Sequence, residues 1–116
     1  MENDQERIPL FSYGSLQQAE VQLQTLGRLL EGTPDTLPGY KLDAVAIIDA
    51  AVIAASGSAT HRIARATGCL EDLIPGKLFW LTHQELAACD AYEVDAYKRV
   101  EVRLASGTQA HAYVAA

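Results

Sequence analysis

Neither glycine-rich phosphate pattern, GxGxxG or GxxxxGK[ST], occurs anywhere in these 116 residues, so a nucleotide cofactor is not indicated. Cysteine and histidine are few and scattered. Cys69 and Cys89 stand 20 residues apart outside any CxxC setting, and His61, His83 and His111 share no i, i+4 spacing. They do not make a zinc pattern, so no metal is predicted; the cysteines read as small core residues and the histidines as surface or edge positions. No apolar run approaches 18 residues, and the longest, around Ala44 to Ala55, is interrupted by Asp49, which argues against a membrane span. Basic residues are in deficit, 9 Lys and Arg against 15 Asp and Glu, for a net charge of −6 and a pI near 4.9. Such a chain repels nucleic acid, and no Lys/Arg cluster offsets that. The opening Met1-Glu2-Asn3-Asp4-Gln5-Glu6-Arg7 lacks the basic-then-apolar order of a signal peptide, so the expected location is cytoplasmic.

What is present is enough for one core. Hydrophobic residues make up 49% and charged residues 21%, with mean hydropathy +0.01, a soluble globular balance. The length predicts a single domain over 1–116, with 1–7 as a flexible tail.

The stretch Phe11-Ser12-Tyr13-Gly14-Ser15-Leu16 organises the rest. Ile8 to Phe11 reads as a short strand, and Leu16 to Gln24 reads as a helix with Leu16, Ala19 and Leu23 on one face. Ser15 followed by Gln18 matches the capping-box pattern, with Gly14 as the turn residue. Such a turn presents backbone N–H groups and the positive end of the helix dipole to an anion, worth about 0.3–1 kcal/mol. Spacing alone favours a plain strand-to-helix turn.

Further on, Pro34, Pro38 and Gly39 predict a loop leading to an extended segment over Tyr40 to Ile48. Ala50 to Ala59 fits either a strand or a short helix. His61 to Thr67 alternates as a half-buried strand ended by Gly68. Ile74-Pro75-Gly76 reads as a turn into the strand Lys77 to Leu81. Thr82 and Glu85 form a second capping box, opening a helix to about Tyr92 in which Leu86, Asp90 and Glu93 share a face that turns inward. Tyr97 to Leu104 alternates, Ser106-Gly107 turns, and Thr108 to Ala115 returns with Ala110, Ala112 and Val114 inward, a terminal hairpin. Six or so strands and two main helices, not regularly alternating, point to an α+β fold with a small mixed, barrel-like sheet.

The set Tyr13-Gly14-Ser15-Leu16, Leu37-Pro38-Gly39-Tyr40-Lys41-Leu42, Pro75-Gly76-Lys77-Leu78-Phe79-Trp80-Leu81-Thr82 and Asp90-Ala91-Tyr92-Glu93 followed by Tyr97-Lys98-Arg99, in that order, resembles the gamma-glutamylcyclotransferase-like family. That family includes the gamma-glutamylamine cyclotransferases and the plant avirulence-induced proteins. The likeness runs from about Ile8 to Val114. It implies a small mixed barrel, no cofactor, and a small-molecule γ-glutamyl substrate converted to 5-oxoproline and an amine. By the same resemblance, the backbone of Tyr13, Gly14, Ser15 and Leu16 holds the γ-glutamyl moiety, Glu93 is the acid/base, and Tyr113 is an aromatic residue near the pocket. Two positions depart from the family pattern: Val94 stands where glycine is frequent and Cys89 where leucine is usual. Without the resemblance, Glu93 also fits a solvated helix-end carboxylate paired with Lys98 or Arg99. The other class of function compatible with these residues is a non-catalytic small-ligand-binding module of the same fold.

Overall fold

The computed structural model describes residues 7–46, 60–92 and 97–115. The chain begins with strand β1 (Ile8–Ser12), a single 3-10 turn (Ser15–Gln17) and helix α1 (Ala19–Leu26). Strands β2 (Gly32–Pro38), β3 (Tyr40–Ala46), β4 (Thr60–Ala66) and β5 (Leu73–Leu81) come next, then helix α2 (His83–Tyr92) and strands β6 (Tyr97–Arg103) and β7 (Gln109–Ala115). Five strands make one sheet in the order β2-β5-β1-β7-β6, and β3 and β4 pair as a separate ribbon. Only the β1–β7 pairing is parallel among the described strands. The sheet is not closed, yet its two edges curl toward each other. The Ala105 N–H just past β6 donates to the Thr36 carbonyl at 2.9 Å, and the Ser106 hydroxyl donates to Asp35 Oδ2 at 2.6 Å. The fold is α+β, a barrel-like mixed sheet with two helices.

Alternation along the strands gives this sheet two buried faces. Phe11, Leu78, Ala110, Ala112 and Val114 point to one side, where Leu37, Ile74, Val102, Leu104 and Ala64 of the ribbon complete a core. Leu10, Phe79, Leu81 and Tyr113 point to the other, beneath Val21 of α1 and Leu86 and Cys89 of α2. Cys89 packs as a small apolar residue; Cys69, read from sequence as another core residue, is exposed instead.

The second capping box forms as its sequence predicts. Thr82 N–H donates to Glu85 Oε1 at 2.9 Å, and Glu85 N–H donates to Thr82 Oγ1 at 3.1 Å. Arg28, just beyond α1, forks onto the same Glu85 carboxylate through Nε and Nη2, the latter at 2.9 Å from Oε1. The terminal hairpin also forms, with Gly107 at φ 93° in its turn, a conformation that favours glycine.

Three further expectations fail, each for a physical reason. The segment after Gly32 is not a loop but strand β2. Its prolines are tolerated because β2 is an edge strand whose ladder runs to β5 alone. Pro75-Gly76 is not a turn but the interior of β5. There β1 has already ended at Ser12, opposite Lys77, so Pro75 sits where β5 is paired on one side only, to Thr36. Gly76 is required at that spot: a Cβ would collide with the Ser12 carbonyl and come within 2.7 Å of the Phe11 ring. Finally, no α-helix opens at Ser15. The helix starts at Ala19 rather than Leu16, after a 3-10 turn and an extended Gln18 (ψ 134°) whose side chain makes no cap bond. This break re-phases the helix, so Ala19 and Leu23 face solvent while Val21 and Gln22 are buried. The readings for Ile47-Ile48, Ala50 to Ala59, Glu93 and Val94 lie outside the described residues.

Candidate functional site

The turn after β1 is pinned from both sides of the sheet. Continuing the alternation of β1, Tyr13 packs on the Phe11 side, while the chain then crosses over and buries Leu16 (6% exposed) on the Leu10 side. The Tyr13 phenol donates to the Tyr113 carbonyl on β7 at 2.6 Å and accepts the Ala64 N–H from β4 at 2.9 Å. It therefore ties the ribbon to the sheet as well as fixing the turn. At the other end, Gln22 (4% exposed) spans two backbone groups. Its Nε2 donates to the Leu16 carbonyl and its Oε1 accepts the Leu30 N–H, both at 2.9 Å. Between these anchors Gly14 is exposed, and a Cβ on it would meet open space. The Gly14 N–H leans on Ser12 Oγ at 3.4 Å, and its carbonyl accepts from the Gln17 N–H at 3.1 Å and from Gln17 Nε2 at 3.3 Å. Gly14 does not use a positive φ, so its value here is lack of bulk rather than left-handed backbone. A rigid, sterically open stretch of main chain results.

Tyr113 lies on β7 in the core beneath the helices and is 8% exposed. Its phenol donates to Asp90 Oδ1 in the last turn of α2 at 2.6 Å. Arg99 of β6 forks onto the same carboxylate, Nε to Oδ1 at 2.9 Å and Nη2 to Oδ2 at 3.2 Å, and its Nη1 meets His111 Nδ1 at 3.2 Å. Burial pushes the Asp90 carboxyl up. The bonds from Tyr113 and Arg99, with the charges of Arg99 and His111, outweigh that and hold it below the ordinary aspartate range. Helix α2 thus ends on a carboxylate cross-linked to β6 and β7, immediately before the segment that carries Glu93 in sequence.

Of the residues singled out from sequence, Tyr13 and Tyr113 are brought into direct contact, and Leu16 shares a core with Tyr113. Ser15 opens the 3-10 turn between them. Glu93 lies outside the described residues. Arg99, one of its two candidate partners by sequence, is engaged by Asp90. Sequence reasoning misses two residues here. Gln22 reads as one more polar helix residue, and nothing in its spacing announces that it is buried. Asp90 reads only as a neighbour on the helix face; the signal available is its place in the last turn, where a carboxylate opposes the helix dipole and needs a cationic partner such as Arg99. Among the described residues no group of three His, Cys, Asp or Glu side chains is placed to hold a metal ion, and no helix is long and apolar enough to cross a membrane.

Comparison with known proteins places the chain. No curated protein matches it. Among solved structures, one Arabidopsis thaliana protein superposes with a TM-score of 0.71 at 22% identity, over 99% of this chain and 73% of that one. A second from the same organism gives 0.68 at 21%, over 99% and 66%. A structure described as gamma-glutamyl cyclotransferase gives 0.73 at 16%, over 96% and 68%. The chain thus spans about two thirds of the length of the second Arabidopsis protein, and at these identities the likeness is one of fold. The family model described as gamma-glutamyl cyclotransferase, AIG2-like, matches residues 10–116. The chain belongs to that family.

Proposed function

We propose that the protein is a cyclotransferase acting on a γ-glutamyl amine or peptide, releasing 5-oxoproline and the free amine. The observation that carries this reading is the main chain around Gly14, held open and rigid between Tyr13 and Leu16 and linked through the Tyr13 phenol to Tyr113. Backbone amides in such a stretch suit a small carboxylate or a developing oxyanion, and family membership supports a γ-glutamyl ligand.

In the proposed reaction the substrate's α-amine attacks its own γ-carbonyl. A C–N bond closes the five-membered ring, and the original amide C–N bond breaks. The nucleophile is internal, so a site that holds the substrate folded gains a large proximity effect. An α-amine titrates near about 8 and is mostly protonated at neutral pH, so a base must take its proton first. Glu93 is assigned that role and then delivers the proton to the departing amine, which leaves poorly without it. A carboxylate with an ordinary pKa near about 4.3 is a weak base, so the assignment requires a setting that raises it toward the useful range.

The test is 5-oxoproline release from a panel of γ-glutamyl dipeptides, γ-glutamyl-ε-lysine and glutathione. At least one is turned over by the native protein, and Glu93→Gln lowers kcat by about 100-fold or more while binding persists. Binding without turnover by the native chain would instead indicate a ligand-binding module, and normal turnover by Glu93→Gln would remove the assignment of the base.

A further inference from the structure

We infer that Lys77 is a specificity-determining residue that pairs with a carboxylate on the leaving amine, so that the preferred substrates are γ-glutamyl amino acids or peptides with an acid close to the scissile amide. The inference rests on the cyclotransferase reading and deepens it by naming the class of amine released. Strand β1 ends at Ser12, whose partner on β5 is Lys77. Residues directly opposite across an antiparallel pair share a face, with Cβ atoms about 4.5–5.5 Å apart. Ser12 is also the residue whose Oγ accepts the Gly14 N–H at 3.4 Å, so Lys77 rises beside the side chain that touches the turn. Alternation puts Lys77 on the side of β5 that carries Phe79 and Leu81, the side to which the chain crosses between Tyr13 and Leu16. Phe79 is buried beneath the helices, whereas Lys77 and Pro75 are exposed, so the cover ends at this point of the strand.

The strand neighbours of Lys77 on that face are uncharged. Ser12 and Pro34 flank it across the two ladders, and Pro75 and Phe79 flank it along β5. Among the described residues it makes no ion pair, whereas Arg28, Lys41, Arg65 and Arg99 each meet a carboxylate. In a chain with a net charge of −6, an ammonium without an acid beside the candidate cradle is available to an acid on a ligand. Its flexible four-carbon stem gives it reach over the turn. With the γ-glutamyl moiety on the main chain from Tyr13 to Leu16, Lys77 stands across Ser12 on the exposed sheet face of Pro34 and Pro75, where a departing amine has room.

The experiment compares γ-glutamylglycine, whose leaving amine carries a carboxylate, with γ-glutamylglycinamide, a neutral analogue of nearly the same shape. Values of kcat/KM come from 5-oxoproline release. The native protein prefers the acid by about fivefold, the worth of a partly exposed ion pair. Lys77→Met brings the ratio to about one, Lys77→Glu reverses it, and Lys77→Arg keeps it. Raising the salt from about 0.01 M to about 1 M collapses the native preference and leaves the ratio in Lys77→Met unchanged. A ratio that survives Lys77→Met overturns the inference, because a lysine that holds the α-carboxylate shared by both substrates, or only supports the fold, lowers the two equally. A native protein without the preference overturns it as well. If the native protein binds both ligands and converts neither, the same ratio taken from Kd decides the role of Lys77, and the cyclotransferase reading alone falls. If it neither binds nor converts them, the inference falls, and the γ-glutamyl panel decides the cyclotransferase reading separately.

Discussion

Two places in this chain carry the same four-residue signature for a helix start, Ser15 to Gln18 and Thr82 to Glu85, and they fold differently. At Thr82 the reciprocal bonds form, α2 begins at once, and Arg28 clamps the glutamate from the neighbouring element. At Ser15 the chain makes one 3-10 turn, extends at Gln18 and only then enters α1. The difference lies in where the first apolar side chain stands relative to the cap. Past Thr82 the first inward residue is Leu86, one turn into the helix, so a regular start buries it. Past Ser15 the apolar residue is Leu16, immediately next, and it must reach the same core as Leu10 while Tyr13 stays on the opposite face. Burying Leu16 is worth about 2 kcal/mol, more than a capping bond, so packing sets the backbone and the regular helix start is forgone. The side chain that holds the first region together is therefore Gln22, from inside the helix, in the place of a cap residue.

The largest effect expected from breaking this arrangement is at Gln22. Replacing it with leucine, similar in volume, leaves the Leu16 carbonyl and the Leu30 N–H without their partner in a buried setting. Unfolding in urea should show a loss of about 3 kcal/mol. Because the same bond steadies the turn after β1, the proposed activity, read as 5-oxoproline release, should fall by more than the unfolded fraction accounts for. The corresponding change in the second region is smaller. Thr82→Ala removes one half of a box whose other half, Glu85, retains Arg28, and should cost about 1 kcal/mol by the same measurement.

Much of this molecule is legible in its residues, and the parts that are not share a cause. The hairpin of β6 and β7 can be read because alternation at Val100, Val102 and Leu104 is local. So can the box at Thr82, whose partners lie three residues apart. Strand β2 cannot, because its prolines are acceptable only at a sheet edge, and being an edge is a property of the assembled sheet. Pro75-Gly76 is misread for the same reason: what permits it is the end of β1 some sixty residues earlier. In the candidate site, Tyr13, Leu16 and Tyr113 are found through family likeness. Gln22 and the link from Asp90 to Tyr113 and Arg99 depend on which side chains meet across elements, which no spacing along the chain records.

Acid separates the two helix starts further, since only one of them titrates. The bond from Arg28, opposed by burial and aided by the Thr82 N–H, holds the Glu85 carboxyl below the usual glutamate range. A carboxylate depressed in the folded state adds stability that is fully present above its unfolded value, about 4.3, and is lost as pH falls through the lower folded value. The stability difference between the native chain and Glu85→Gln should therefore be constant from pH 7 down to about 5 and shrink below it. The difference between the native chain and Gln22→Leu should not change over that range, because an amide does not ionise.

The smallest effect, and the sharpest check on the comparison, is at Gln18. If the sequence signature alone made a box, its glutamine side chain would bond the main chain ahead of the helix and its loss would cost about 0.5–1 kcal/mol, as for Thr82. In the structure Gln18 sits in the N-cap place with an exposed side chain and no cap bond. Gln18→Ala should leave the stability in urea within about 0.3 kcal/mol of the native value. It should also leave α1 at its native helix content. A loss comparable to that of Thr82→Ala would mean that the two starts are alike after all, and that the turn after β1 owes its shape to local capping rather than to the burial of Leu16.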